Sequence, residues 1–180
     1  NFWRGRQGTE MDRATADHMG MLATVINALA LQDAIERKGC DARVLTAWDI
    51  LRVAEPYAQR KAINHLQKGR IVIFACGTGN PFFSTDTAVA LRAAEINADI
   101  ILLAKNVDGI YDSDPKTNKD AKKYDEIKYI DFISQELKAM DTAAVAICME
   151  NKTPILCFGL NEPNSIVRVV EGEDLGTWIR

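Results

Sequence analysis

One short segment of the chain concentrates side chains that could hold a ligand. Residues 75–92 read ACGTGNPFFSTDTAVALR, with two glycines, a Gly-Asn-Pro turn, adjacent phenylalanines and a run of hydroxyl and carboxylate groups. Glycines let a backbone approach a ligand closely, and a helix that follows presents free N–H groups to an anion. Two aromatic rings beside hydroxyl donors suit an aromatic base and a phosphate. The segment is either a plain strand-to-helix turn or, as the paired rings favour, a ligand-binding loop.

The same loop lacks the marks of two common phosphate-binding motifs. No Gly-Lys-Ser/Thr follows its glycines, so it is not a Walker A motif. After Gly77 and Gly79, the third glycine position of a dinucleotide fingerprint is occupied by Phe82. Any cationic group that contacts phosphates must therefore come from elsewhere in the chain.

A second candidate site is the segment AKNVDGIYDSDP, which follows an apolar run. Lys105 is either a solvated lysine at a strand end or a residue that reaches phosphates. Tyr111 offers a ring face for stacking a base, and Asp114 offers an acceptor for ribose hydroxyls. The aspartates of this segment do not suit calcium, because the glycine and glutamate positions of an EF-hand loop are not filled.

Charged residues elsewhere complete the candidates. Arg4 and Arg6 form either a solvated basic loop or a pair that grips phosphates through bidentate hydrogen bonds. Asp17 lies one turn into a mostly apolar helical pattern, where a carboxylate could accept hydrogen bonds from a sugar. Asp141 is placed to cap a helix, or to orient a catalytic lysine or a metal-bound water.

The elements that must position these residues alternate between helix and strand. Helices are predicted over 13–38, 58–67, 85–96, 131–137 and 141–151, strands over 42–47, 70–76, 99–104 and 154–160, and a terminal strand in GTWIR. Pro163 is expected to open one more short helix, Asp131 and Asp141 to cap theirs, and Asp108-Gly109 to form a hairpin turn. The strands around 70–76 and 99–104 are continuous apolar runs, expected to be covered on both faces and joined by a right-handed parallel crossover. This order predicts an α/β fold, a three-layer αβα sandwich with a mainly parallel central sheet.

Composition narrows the class of protein. A chain of 180 residues fits one domain, 1–180, and a net charge of −3 argues against nucleic-acid binding. No segment is long and apolar enough to span a membrane. The four cysteines are interpreted as reduced core residues of a cytoplasmic protein, without a disulfide framework or zinc spacing. The nearly all-round apolar helix at 19–31 indicates either core burial or a subunit contact.

The chain contains four long motifs, GTGNPFFSTDTA, MDRATADHMGMLATVINALALQDA, VDGIYDSDP and LKAMDTAAVAICMENKTPILCFGLN. Together they resemble the bacterial uridylate kinases (UMP kinases) of the amino-acid-kinase fold, and the similarity runs from Asn1 to about Thr177. The resemblance implies phosphoryl transfer from ATP to UMP, giving UDP in pyrimidine nucleotide (CTP) biosynthesis, with Mg²⁺ carried mainly by the nucleotide and no protein metal site. It also implies a cytoplasmic homohexamer that GTP activates and UTP inhibits.

The resemblance also implies roles for individual residues. Asp17 resembles the residue that takes the ribose hydroxyls, and Arg4 the arginine near the ATP phosphates, with a catalytic role. Asp141 matches an active-site aspartate. The UMP-binding loop corresponds to Thr78, Gly79, Asn80, Pro81, Phe82, Phe83, Ser84 and Thr85, and the surroundings of the ATP adenosine to Asn106, Tyr111 and Asp114.

The chain departs from this family at its beginning. Family members start with a strand that bears a phosphate-contacting lysine in a K-x-S-G-E context, followed later by a GGGN loop, whereas this chain begins at what resembles the Asn of that loop. We therefore expect residues 1–180 alone to be weakly folded and inactive, and the intact protein to be an active kinase. Two alternatives stay open: an enzyme of the same fold that acts on a carboxylate or carbamate, and a non-enzymatic nucleotide-binding or storage protein.

Overall fold

The computed structural model describes residues 11–115 and 117–180, and the chain divides into two compact units. The first unit is Asn1–Ala88 and the second is Val89–Arg180. In the described part of the chain, no helix is long and apolar enough to cross a membrane.

The first unit is built on a parallel sheet with a long helix against it. Its elements are α1 (Arg13–Glu36), β1 (Ala42–Thr46), β2 (Glu55–Pro56), α2 (Gln59–Gln67) and β3 (Ile71–Ala75), and the strand order is β2-β1-β3. All described pairings in this sheet are parallel. α1 begins where Asp12 accepts a hydrogen bond from the Thr15 N–H at 2.9 Å, and Gly39 follows its end with a φ of +83°.

The core of this unit lies between α1 and the sheet. Met21, Val25 and Ala28 of α1 recur at helical spacing and pack with Val44 of β1 and Ala75 of β3. The opposite side of α1 leaves apolar side chains exposed, among them Met19, Leu22, Ile26 and Leu31. The helix is therefore buried on one face only, and its apolar character all round is not explained by the core of this unit.

The second unit contains a mixed sheet with helices. The helix α3 (Thr85–Glu95) runs into it, followed by β4 (Ile101–Lys105), β5 (Glu126–Ile127), α4 (Tyr129–Ser134), α5 (Thr142–Asn151), β6 (Ile155–Gly159), α6 (Ser165–Val170) and β7 (Thr177–Ile179). The strand order is β4-β6-β7-β5, with β6 and β7 antiparallel and the other pairings parallel. Its core includes Phe132, Val145, Ile155 and Ile179.

The predicted α/β class with mainly parallel pairing is confirmed. β3 pairs with β1 in the first unit, and β4 pairs with β6 in the second. The expectation that both strands are covered on both faces is wrong in part. Ile71 is 42% exposed and Leu102 is 38% exposed, whereas Ile101 and Leu103 are buried. β4 is thus covered on one face only. The sequence could not show this, because apolar residues occupy both faces of the strand.

Three local predictions at turns and caps also need correction. α4 begins after Lys128, so Asp131 lies in its first turn and does not cap it. α6 begins at Ser165, after Asn164 at a φ of +56°, and not at Pro163. Asp108-Gly109 is not a hairpin turn: the chain pairs Tyr111 with Lys123 in an isolated antiparallel bridge and reverses farther on. All four cysteines were expected in the core; Cys76, Cys148 and Cys157 are buried, whereas Cys40 is exposed.

Candidate functional site

The loop after β3 folds back on itself through backbone conformations that glycine favours. Gly77 and Gly79 have φ values of +56° and +83°, and the non-glycine residues Cys76 and Phe82 are also left-handed at +66° and +73°. The Gly79 N–H donates to the Cys76 carbonyl at 2.8 Å and closes the first turn. Such strained positions are found preferentially where a protein holds a ligand.

A cavity of about 310 Å³ lies between this loop and α1. Its volume is within the range of small-molecule sites, which starts at about 300 Å³. Six of the residues that line this cavity were predicted from the sequence, and further lining residues from α1 were not. The predicted ones are Asp17, Thr78, Asn80, Phe83, Ser84 and Thr85. Gly79, Pro81 and Phe82 belong to the loop without lining the cavity.

Asp17 fastens the loop to α1. Its side chain is only 8% exposed, and its Oδ2 accepts a hydrogen bond from the Phe82 N–H at 2.7 Å. The Nε of Arg13, one helical turn earlier, lies 3.7 Å from the same oxygen. A carboxylate held in this way borders the cavity as a fixed acceptor and fixes the position of the loop backbone.

The two adjacent phenylalanines have different surroundings. Phe83 lines the cavity, although its side chain is 54% exposed. Phe82 is 63% exposed, and the Arg13 guanidinium lies 5.0 Å from its ring centroid, a cation–π geometry. Phe83 is therefore the ring available to a planar ligand in the cavity, while Phe82 packs against Arg13 at the head of α1.

The N-terminus of α3 borders the same cavity. Ser84 and Thr85 line it, and the Ser84 hydroxyl accepts a hydrogen bond from the Thr87 N–H at 3.0 Å, as an N-cap does. The first-turn amides and the positive end of the helix dipole favour an anion at this position. The cavity thus combines an aromatic face, a carboxylate acceptor and an electropositive helix end.

On the α1 side of the cavity, sequence reasoning identified Asp17 and missed the other residues. Gly20, Met21 and Thr24 line it. The Thr24 hydroxyl accepts a hydrogen bond from the Cys76 N–H at 2.9 Å and donates to the Met21 carbonyl at 2.6 Å. Their spacing of three, four and seven residues from Asp17 was a usable signal, because residues at that spacing share one face of a helix.

A second cavity, of about 460 Å³, lies in the second unit. Tyr111 and Asp114 line it, as the sequence predicted for one site. Its other wall was not predicted and consists of Gln135, Glu136, Leu137, Lys138 and Ala139, which follow α4. The Tyr124 hydroxyl donates to the Gln135 side-chain oxygen at 2.9 Å and ties that wall to the 106–125 segment.

Hydrogen bonds at Asp108 fix the orientation of Tyr111. The Tyr111 hydroxyl donates to Asp108 Oδ1 at 2.9 Å, and the Lys123 Nζ lies 3.3 Å from Asp108 Oδ2. Partial burial acts to raise the pKa of Asp108, but the Tyr111 hydrogen bond and the Lys123 charge outweigh it, so this pKa is lowered. The same hydrogen bond, with some burial, raises the pKa of Tyr111. The phenol therefore stays protonated and oriented at neutral pH.

The remaining predicted residues lie outside both cavities or outside the described part of the chain. Arg4 lies outside the described residues. Asn106 is exposed and lines neither cavity. Asp141 caps α5, since its Oδ1 accepts a hydrogen bond from the Ala144 N–H at 2.7 Å. Across residues 11–115 and 117–180, no group of three or more His, Cys, Asp or Glu side chains could hold a metal ion.

Comparison with known proteins identifies the family of the chain. The amino acid kinase family model matches residues 2–159. The UMP kinase of Bacillus anthracis is 41% identical with a TM-score of 0.95, and the match covers 100% of this chain and 75% of that one. The UMP kinase of Ureaplasma parvum is also 41% identical, with a TM-score of 0.92 over 98% of this chain and 77% of that one. The uridylate kinase of Archaeoglobus fulgidus is 31% identical, with a TM-score of 0.73 over 95% and 74%. The likeness extends over the α/β architecture as well as over the loop after β3, and the chain belongs to the amino acid kinase family.

Proposed function

We propose that this protein is a uridylate kinase, which transfers the γ-phosphoryl group of ATP to UMP and gives UDP. The observation that carries the proposal is the cavity between α1 and the loop after β3, where Asp17, Phe83 and the N-terminus of α3 come together. The similarity to UMP kinases at 41% identity supports the same conclusion. We further propose that this reaction serves pyrimidine nucleotide (CTP) biosynthesis in the cytoplasm.

UMP would occupy this first cavity as the phosphoryl acceptor. Phe83 would stack on the uracil ring, and Asp17 would accept hydrogen bonds from the ribose hydroxyls. The 5′-phosphate would lie near Ser84 and Thr85, where α3 begins. Thr78 and Asn80 supply further polar groups around the base, and the Gly79-Pro81-Phe82 backbone shapes the loop that carries them.

ATP would occupy the second cavity as the phosphoryl donor. The Tyr111 ring would pack against the adenosine, and Asp114 would accept hydrogen bonds from it. By the family resemblance, a magnesium ion would arrive on the nucleotide. Bound there, Mg²⁺ would neutralise charge on the phosphates during transfer.

Roles for three more residues rest on the family resemblance. Arg4 would stabilise the transferring phosphoryl group, because positive charge around it is the main source of catalysis in such reactions. Asp141 would take part in the active site from its position at the start of α5, and Asn106 would contact ATP. We propose these roles as part of the same mechanism.

The assembly and its regulation are proposed on the same basis. A homohexamer would bury the apolar face of α1, on which Ile26 is 71% exposed. GTP would activate the hexamer and UTP would inhibit it.

A coupled assay of the full-length protein with MgATP tests the proposed function. We expect turnover of UMP at least tenfold above turnover of CMP, and none of acetylglutamate, since an acyl substrate has no use for the ring of Phe83. Turnover of acetylglutamate would favour an enzyme that acts on carboxylates or carbamates. Binding of UMP and ATP without turnover would favour the storage alternative.

A further inference from the structure

Trp48 connects the end of β1 to the loop of the first cavity, although it does not line that cavity. Its indole Nε1–H donates to the Gly79 carbonyl at 2.9 Å, across 31 residues of sequence. The Trp48 carbonyl in turn accepts a hydrogen bond from the Thr46 hydroxyl at 2.7 Å. The donor is thus held by the strand, and the acceptor belongs to the loop.

Gly79 is closely packed against Ala47 and Trp48, so the hydrogen bond from the Trp48 indole holds it in one position. A Cβ at residue 79 would lie 3.1 Å from the Ala47 Cβ and 3.6 Å from the Trp48 Cδ1. The Gly79 N–H is used by the Cys76 carbonyl, so both backbone polar groups of Gly79 have partners. Its neighbours Thr78 and Asn80 line the cavity, and any displacement of Gly79 must move them too.

The other side of Trp48 faces α1. The His18 ring lies 5.2 Å from the Trp48 ring, with an interplanar angle of 60°. His18 is the direct neighbour of Asp17, which lines the cavity and accepts the Phe82 N–H. The Trp48 indole therefore contacts both walls of the cavity without lining it. It contacts the loop through a hydrogen bond and α1 through an edge-to-face ring contact.

We propose that Trp48 is a positioning residue for the acceptor nucleotide, and that its N–H···O=C bond to Gly79 holds Thr78 and Asn80 in their binding positions. This proposal rests on the proposed function, because it assigns UMP to the first cavity. Without the bond the loop has more conformations to lose when the nucleotide binds, so the cost appears in affinity. Trp48 does not touch the nucleotide or the transferring group.

Trp48→Phe in the full-length protein tests the proposal, since it keeps a ring but removes the donor. We expect the KM for UMP to rise about three- to tenfold, the range for losing one net hydrogen bond. The kcat should stay within about twofold of the parent value, because the variant weakens acceptor binding equally in the ground state and in the transition state. The KM for ATP should also stay within about twofold, because the loop does not contact the donor nucleotide. Benzothienylalanine at position 48, which matches the indole in shape and lacks the N–H, should give the same shift.

Trp178→Phe is the matched control. The Trp178 indole also donates a hydrogen bond, to Asp174 at 2.7 Å, but Trp178 lines neither the first nor the second cavity. This variant should leave the KM for UMP unchanged. Amide hydrogen exchange gives a readout that does not depend on turnover: Thr78, Gly79 and Asn80 should exchange faster in Trp48→Phe than in the parent and in the control.

The outcomes separate this inference from the proposed function. If the parent protein phosphorylates UMP and Trp48→Phe shows the parent KM and the parent exchange rates, the Trp48 assignment is wrong. Equal rises in the KM values for UMP and ATP would also overturn it, since they indicate a general loss of structure. If the parent does not phosphorylate UMP, the proposed function fails, and unchanged exchange at 78–80 would then refute the loop-holding role on its own.

Discussion

At the scale of single residues, Asp17 has two roles in the first cavity: it holds the loop backbone and lines the cavity as an acceptor. Asp17→Asn keeps the size of the side chain but removes the charge that holds the Phe82 N–H and faces the proposed ribose. Hydrogen bonds to charged groups contribute about 1.5–3 kcal/mol, so we expect the KM for UMP to rise about 10- to 100-fold. Steady-state kinetics with varied UMP at saturating ATP measures this effect.

Asp33→Asn controls for a lost carboxylate on the same helix. Asp33 is exposed on α1 and pairs with Arg37 one turn later, away from the cavity. This variant should keep the parent KM for UMP. A parent-like KM in Asp17→Asn as well would remove Asp17 from the acceptor site.

Tyr111→Phe tests the hydrogen bond that orients the proposed adenosine contact. Removal of the phenol donor should raise the pKa of Asp108, because that donor helps to keep it low. The stabilisation from the lowered pKa is fully present above the ordinary carboxyl value of about 3.9 and is lost as the pH falls through the lower folded value. The variant should therefore lose less stability on acidification than the parent does.

A carboxyl-carbon NMR titration measures the pKa of Asp108 directly. Tyr124→Phe is the control, since its hydroxyl donates to Gln135 and not to Asp108. A pKa of Asp108 that is the same in the parent and in Tyr111→Phe would show that the Tyr111 hydroxyl does not help to lower it.

The sequence identified residues whose own type is unusual for their position. Asp17 could be predicted because a carboxylate interrupts an otherwise apolar helical pattern, and Phe83 because an exposed ring in a glycine loop is uncommon. Trp48 could not be predicted, since its role depends on a contact with Gly79 across 31 residues. The wall of the second cavity that follows α4 could not be predicted for the same reason, because no sequence pattern near Gln135 indicates its hydrogen bond with Tyr124.

At the scale of elements, local signals for helix starts were reliable only where a side chain completes the cap. Asp131 and Asp141 look alike in sequence, yet of the two only Asp141 caps its helix through a backbone N–H, because α4 already begins at Tyr129. The Tyr129 hydroxyl donates to the Thr153 carbonyl at 2.7 Å and so links the first turn of α4 to a distant part of the chain. Burial, and a lesser effect from Cys148, raises the pKa of that phenol to about 12. The first turn of α4 is thus held by a tertiary contact that no local sequence signal encodes.

Asp141→Ala and Asp131→Ala form a matched pair that tests this difference. Loss of the Asp141 cap should lower the free energy of unfolding by about 1 kcal/mol, whereas loss of the Asp131 side chain should change it by less than about 0.5 kcal/mol. Urea denaturation of the full-length protein measures both. Asp141→Asn adds a separation of roles, because asparagine also caps well, so a fall in kcat with parent stability would support the proposed catalytic role. Equal destabilisation by both alanine variants would contradict the cap assignment.

At the scale of the whole molecule, the class of fold could be predicted and the grouping of strands could not. Alternating apolar runs and helical patterns suffice for an α/β fold with mainly parallel pairing. They do not say which strands become neighbours: β3 pairs with a strand that precedes it and β4 with one that follows much later. Nor do they separate an apolar residue in the core from one that another chain would cover, which is the question that the exposed apolar side chains of α1 raise.

Ile26→Asp addresses that question through the assembly. Ile26 is 71% exposed on a helix whose opposite face already fills the core, so its replacement should leave the fold of the subunit intact. In the proposed homohexamer, a carboxylate at this position would be buried without a partner, at a cost of several kcal/mol for each copy. Light scattering of the full-length protein should therefore show the mass falling to half or less of the parent value. Asn27→Asp, which adds the same charge at the next exposed position of α1, should keep the parent mass. A monomeric parent, or an Ile26→Asp variant with the parent mass, would exclude this face of α1 as a subunit contact.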